Sequence, residues 1–285
     1  MSHSTVLALL WCAVACVSAA QERVPAPTRP CSLAGLAAGS SSSTRPASPA
    51  ELLAAYNAQA HALRTLVAAA SAREPNRHGR ALPMFVLAKR PYWVRMMAHA
   101  PVAGKTLFDS TSDGQQLRLF LPRQGRFYIG PLDAPVEINA PYDHIRPQHV
   151  FTAMLWPEVS SDAVQLVEKS SGAKELTVSS RGDSVPSLRI EFDPARAVVS
   201  RLSLMVGESP LETIRYDDWQ PTEASASGSS MCVPRHLWIE RPADNLQLEL
   251  RLSRIVVNED LPAARFRLDP PVGIPVVRLG QAGAK

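Results

Sequence analysis

Eleven stretches between residues 84 and 257 alternate apolar and polar side chains, and most of the connections between them are short. They cover 84–97, 103–112, 115–122, 125–130, 163–169, 174–180, 187–193, 198–206, 211–219, 232–241 and 245–257. Turn-forming residues separate them, among them Asp113-Gly114, Gln124-Gly125, Ser171-Gly172, Asp193-Pro194 and Pro242-Ala243-Asp244. Parallel neighbours would need long crossovers, so this spacing dictates an antiparallel meander. The main interruption is 131–162, where "RPQHVFTAMLWPE" reads as a short helix from Pro147 to Leu155.

A meander this wide must curl, split into two layers or close on itself. Its strands carry their apolar residues on one face. Leu117, Leu119 and Leu121 alternate with Gln116, Arg118 and Phe120, and Leu188, Ile190 and Phe192 alternate with Arg189 and Glu191. Ahead of the strands, Ser48-Pro49-Ala50-Glu51 has the makings of a capping box. Tyr56, Ala60, Leu63, Val67 and Ala70 follow at helical spacing, which predicts a helix from Pro49 to Ala72 with one apolar stripe. A membrane barrel turns its apolar face to lipid and needs no such helix to cover it. The leucines are therefore expected to point inward, against the helix, and the outer face is expected to be wet.

The ends of the chain differ from this pattern. "VLALLWCAVACVSAA" is short for a membrane span and ends in small residues, as the signal peptide of an exported protein does, which assigns 1–20 to it. Ala13-Val14-Ala15-Cys16 resembles a lipobox, in which Cys16 becomes the acylated mature N-terminus; Val17-Ser18-Ala19 and Ser18-Ala19-Ala20 resemble ordinary cleavage sites. The lipoprotein route is preferred here. Residues 21–47, with four prolines and a four-serine run, read as a tether, and 48–280 as one domain. Of the cysteines left after processing, Cys31 and Cys232 either form one bridge or stay as separate thiols.

No hydrolase, metalloprotease, phosphate-loop or dinucleotide signature occurs in the chain, and no catalytic residue, cofactor or metal site is expected. His144 and His149 flank a proline at a spacing that suits no common metal pattern. Asp217-Asp218 reads as a solvated strand end, and Arg181-Gly182-Asp183 as a hairpin turn. Trp93, Trp156, Trp219 and Trp238 read as core or sheet-edge residues. The net charge of +4 is scattered, with no basic run interleaved with aromatics, which argues against nucleic acid and leaves an anionic membrane surface open.

The run "TLFDSTSDGQQLRLFLPRQGRFYIG", with "RPQHVFTAMLWPE", "YDDWQ", "VPRHLWIERP" and "LELRLSRIVVNEDLPAARFRLDPPVG", resembles bacterial envelope proteins of the lipoprotein-localisation (Lol) carrier and receptor superfamily. The resemblance spans residues 50–275. It implies a mainly β fold with helices (α+β): a half-open antiparallel β-barrel of about eleven strands wrapped on one long and one short helix. It also implies an apolar cavity for acyl chains of lipids or lipoproteins, and a lipid anchor that Cys16 would supply.

A barrel of more than about eight strands encloses space unless something plugs it. The inward positions expected to line that cavity are Leu117, Leu119, Leu121, Leu188, Ile190, Phe192, Leu202, Leu204, Leu237, Ile239, Leu248 and Leu250. The chain is thus expected to be a monomeric, non-catalytic lipoprotein of the periplasm, anchored to the outer membrane and binding acyl chains or lipidated proteins. The alternative is an envelope module that senses stress or binds protein on the same fold. Intact mass of the exported chain tests the anchor. The expected mass is that of a chain starting at acylated Cys16; an unlipidated start at Ala20 or Gln21 would contradict it.

Overall fold

A computed structural model describes residue 31 and residues 48–77, 80–100, 104–134, 145–159, 164–168, 174–178, 186–193, 196, 198–222 and 231–280. The signal peptide with Cys16, the tether apart from Cys31, His144 and Arg181-Gly182-Asp183 lie outside the described residues. The elements are α1 (Pro49–Ala62), β1 (Thr65–Arg73), β2 (Leu82–Lys89), β3 (Trp93–His99), β4 (Thr106–Ser112), β5 (Gln116–Leu121) and β6 (Arg126–Pro131). Then come α2 (Pro147–Met154), β7 (Val164–Glu168), β8 (Lys174–Val178), β9 (Ser187–Phe192) and β10 (Val199–Val206). β11 (Ser209–Pro221), β12 (Cys232–Arg241), β13 (Leu246–Val257) and β14 (Val276–Arg278) complete the chain.

Among the described residues fourteen strands form one sheet in the order β14-β6-β5-β4-β3-β2-β1-β13-β12-β11-β10-β9-β8-β7. The chain starts in the middle, meanders out to β6, crosses to the far edge at β7 and meanders back until β13 pairs antiparallel with β1. No ladder joins the two edges among the described residues, so the barrel is open. The fold class read from the sequence therefore holds, with three more strands than expected. Arg90-Pro91-Tyr92 turns the chain and divides 84–97 into β2 and β3. β14 is the second addition, and adds in parallel to β6.

The third addition, β1, corrects the expected helix. The capping box at Ser48 and Glu51 is present, but α1 ends at Ala62. Val67 and Ala70 lie in β1, a central strand paired with both β2 and β13. An alanine-rich run favours a helix locally, yet ladders on both sides outweigh that preference. Period two was available as well: Leu66, Ala68, Ala70 and Ala72 are buried, while Val67, Ala69 and Ser71 are only half-buried on the other side.

The core sits on the concave side. Leu52, Leu53 and Tyr56 of α1 and Val150, Phe151 and Met154 of α2 pack into one cluster with the inward side chains of the sheet. The convex side is not uniformly wet, contrary to expectation. Residues 259–269 cross it as a strap held by side chains of the sheet: Thr65 Oγ1 donates to Glu259 O, Lys89 Nζ to Leu261 O and Thr111 Oγ1 to Phe266 O. Arg95 Nη1 donates to Arg265 O, and Arg118 Nη1 to Leu268 O. Beneath the strap, Leu261 and Phe266 form a second small core with Leu87. β14 then covers the β6 edge, which removes one unpaired strand edge. Gly130 permits this approach, because a Cβ there would stand 2.6 Å from Leu279 Cβ.

Cys31 and Cys232 are bonded, with their Cα atoms 5.7 Å apart, so the tether is pinned to the start of β12. Cys31 is buried in the main core. The bond closes a loop of 201 residues, which removes much freedom from the unfolded chain. Cys31→Ser is expected to lower the unfolding free energy by about 2–5 kcal/mol. Urea midpoints of the oxidised protein and the variant check this; equal midpoints would contradict it.

Candidate functional site

Arg90 links the end of α1 to the segment after α2. Its guanidinium donates to Ala60 O (Nη2, 2.8 Å) and Leu63 O (Nε, 3.1 Å) at the end of α1, and Nη2 also donates to Trp156 O just after α2. The last carbonyls of a helix have no partner within it, so an outside donor must supply one. Asn258 completes the cap. Its Nδ2 donates to Ala62 O at 2.8 Å, and its Oδ1 accepts from Arg64 N and Thr65 N, which launches β1. The segment after α2 is further held to α1: Tyr56 donates to Pro157 O, and Asn57 exchanges two bonds with Val159. Burial lowers the pKa of Arg90, and Glu158, Tyr56 and Tyr92 push it back up.

Beneath this roof the inward side chains form continuous rows. One runs Leu176–Ile190–Leu202–Ile214–Ile239–Leu248 across β8 to β13. The next joins Tyr216, Leu237, Leu250 and Ala72 across β11, β12, β13 and β1. Of the twelve positions named from sequence, eleven are buried and Leu204 is half-buried. Nine of them lie on β9–β13, whereas Leu117, Leu119 and Leu121 lie on β5, in the other half of the sheet. Against β11 stands an aromatic cluster. Trp156 stacks on Tyr56 at 5.9 Å and meets Tyr216 at 5.8 Å and Trp219 at 5.5 Å, centroid to centroid.

A cleft of about 500 Å³ opens beside Arg90, between the β2–β3 turn, the β4–β5 turn and α2. Tyr92, Leu132, Phe151 and Leu155 give it an apolar wall, and Gln148 and Glu158 add polar groups. Tyr92 is exposed and faces Phe151 at 6.0 Å. A second cleft, of about 520 Å³, lies on the convex side beside the strap, between Trp93, Arg118, Phe266 and Asp269. Neither is lined by any of the twelve positions. Among the described residues no group of three His, Cys, Asp or Glu side chains is placed to hold a metal, and no helix is long and apolar enough to cross a membrane.

One end of the concave face is charged, which the sequence did not announce. Glu212, 3% exposed, accepts from Arg241 Nη1 at 2.7 Å through Oε2, and Arg241 also bonds Asp244. Arg146 and His149, at the start of α2, stand near enough to help hold the Asp244 carboxyl below its usual value, an effect led by Arg241. Burial pushes Glu212 above its ordinary value of 4.5, against the pull of Arg241. A raised carboxyl favours folding when protonated, so its contribution is present below that ordinary value and is lost as pH rises through the folded one. Glu212→Gln is therefore expected to gain stability relative to the native protein as pH rises from 4.5 towards neutrality. Urea melts across that range test the slope; a constant difference would contradict it.

No family model matches the chain, and no curated relative does. Similar solved structures exist. A DUF1329 family protein from Desulfovibrio piger ATCC 29098 has a TM-score of 0.50 and 9% identity, covering 75% of this chain and 94% of that one. A LolA superfamily protein, NE2245 from Nitrosomonas europaea, has a TM-score of 0.46 and 13% identity, covering 76% and 97%. A putative outer membrane lipoprotein-sorting protein domain from Vibrio parahaemolyticus has a TM-score of 0.48 and 10% identity, covering 76% and 94%. At such identities the likeness, which the Desulfovibrio structure carries, is one of fold alone.

Proposed function

We propose that this domain is a non-catalytic binding module of the bacterial envelope, which shelters the acyl chain of a lipid or a lipidated protein against its concave face. The observation that carries the reading is the way that face is closed. Rows of leucine and isoleucine that run across six strands share one buried cluster with two helices of only 14 and 8 residues, and no second sheet of described residues packs on them. Helices this short are marginal alone, so the roof stays down through packing and through the bonds of Arg90, Asn258, Tyr56 and Asn57. Each such bond contributes about 1 kcal/mol net. Ten methylenes of an acyl chain gain up to about 8 kcal/mol on burial. A bound chain can therefore offset the loss of several roof contacts.

The Cys31–Cys232 bond supports an oxidising space outside the cytoplasm. With acylation at Cys16, the 15 residues from there to Cys31 let the domain stand up to about 50 Å from the bilayer. That reach fits a module that receives or delivers lipidated proteins at the outer membrane.

Delipidated protein is expected to bind a fluorescent fatty-acid probe saturably. Leu119→Trp or Leu188→Trp should weaken that binding without unfolding the domain, and Arg90→Ala should lower Tm and speed probe entry by freeing the roof. Absence of saturable binding by the folded protein would contradict the reading and favour a module that recognises protein alone.

A further inference from the structure

The strap covers only one end of the convex face. Beyond it the outward side chains form an apolar band over the strands at the centre of the sheet. Register places Ala69, Phe85 and Met97 in one row across β1, β2 and β3, and Val256 of β13 opposite Val67 in the next. Phe85 and Val256 are 44% and 48% exposed, although Leu87, on the same side of β2 as Phe85, is buried beneath the strap. Single apolar residues on a surface need no account, whereas a contiguous set beside a covered core marks an interaction site.

Away from the strap, the unpaired charge around the band is positive. Arg254 is exposed beside Val256, Arg73 follows Ala69 on the outer side of β1, and Lys105 is exposed in the β3–β4 turn. None of the three has a carboxylate partner among the described residues. The carboxylates on this face are already engaged: Asp109 by Arg95, and Glu249 by His236 and Arg251. Glu259 and Asp260 lie past the strand ends at the root of the strap, where Thr65 Oγ1 donates to Glu259 O. Arg254 also holds an unfavourable backbone. The β1–β13 register jumps from Val67 opposite Val256 to Ala69 opposite Ser253, and within that bulge Arg254 has a φ of 49°. The left-handed conformation suits glycine or asparagine better than arginine, and strain of this kind clusters at sites with a task.

We infer that this band docks on the anionic headgroups of a lipid bilayer: Phe85 and Val256 enter the interfacial layer while Arg254, Arg73 and Lys105 meet phosphates. The place where the tether is fastened favours a bilayer over a protein. Cys31 is bonded to Cys232, and next to it Met231 Sδ accepts from Asn258 Nδ2 at 3.5 Å, two residues past Val256. A lipid anchor on the tether therefore holds this end of the sheet near the membrane. The docking face lies opposite the helices, so the inference stands or falls separately from the acyl-binding reading.

The test is co-sedimentation of the exported chain carrying Cys16→Ser, so that no acyl anchor contributes, with two kinds of vesicle. One holds phosphatidylglycerol and phosphatidylcholine in equal parts, the other phosphatidylcholine alone. Binding is expected to the mixed vesicles, weakening with salt and falling about fivefold for each cation removed. Arg254→Asn is the decisive variant: asparagine accepts the left-handed conformation, so binding should fall while the urea midpoint holds or rises. Phe85→Ser should also weaken binding. Arg126→Gln, which removes an equal charge from β6, should not. Absent binding, equal binding to both vesicles, or an equal loss with Arg126→Gln overturns the inference. So does a dimer that forms without vesicles and that Phe85→Ser abolishes, which would give the face to a second copy.

Discussion

The guanidinium of Arg90 meets three carbonyls that no regular element satisfies: Ala60 O, Leu63 O and Trp156 O. Much of the molecule follows from that convergence. The last turn of α1 is capped, so the chain can leave the helix within two residues and enter β1, the strand that joins the outgoing and returning halves of the sheet. The same group fixes the segment after α2, and with it Trp156, the centre of the aromatic cluster on the concave face. Five donors on a rigid planar group suit such a task, which a lysine could not perform with the same geometry.

An open barrel has two problems that a closed one lacks: a broad apolar face to cover and two edges to protect. Here the concave face is covered by α1 and α2, and the convex face of the first strands by the strap of residues 259–269. β14, the continuation of that strap, pairs with the β6 edge. The disulfide fastens the segment ahead of α1 to β12, next to the point where Gln59 of α1 bonds Cys232 O. Covering elements of this kind lie on the sheet without being part of it, apart from β14.

What the sequence made legible was what local pattern encodes. Leucine alternation located most strands and the side on which Leu188, Ile190, Leu237, Ile239, Leu248 and Leu250 are buried. Ser48 and Glu51 marked the start of α1. The stop of α1 was not legible, because it depends on Arg90 and Asn258, 27 and 194 residues from the groups they engage. Alanine at 68, 70 and 72 fits either a helix or a strand, and pairing with β2 and β13 decided between them. Glu212 and Arg241 lie in separate strands. Only the register, which sets them on the concave side, makes them a buried pair. The site is accordingly less readable than the fold, since its polar members come from turns and strand ends brought together by topology.

The central claim is that the helical roof yields to an acyl ligand while the sheet remains. Hydrogen exchange with and without a saturating monoacylglycerol addresses it directly. The account predicts faster exchange in residues 147–159 and at the end of α1 when the ligand is bound, with unchanged or greater protection in β10–β13. Uniform protection of roof and sheet alike, or no change in either, would contradict it.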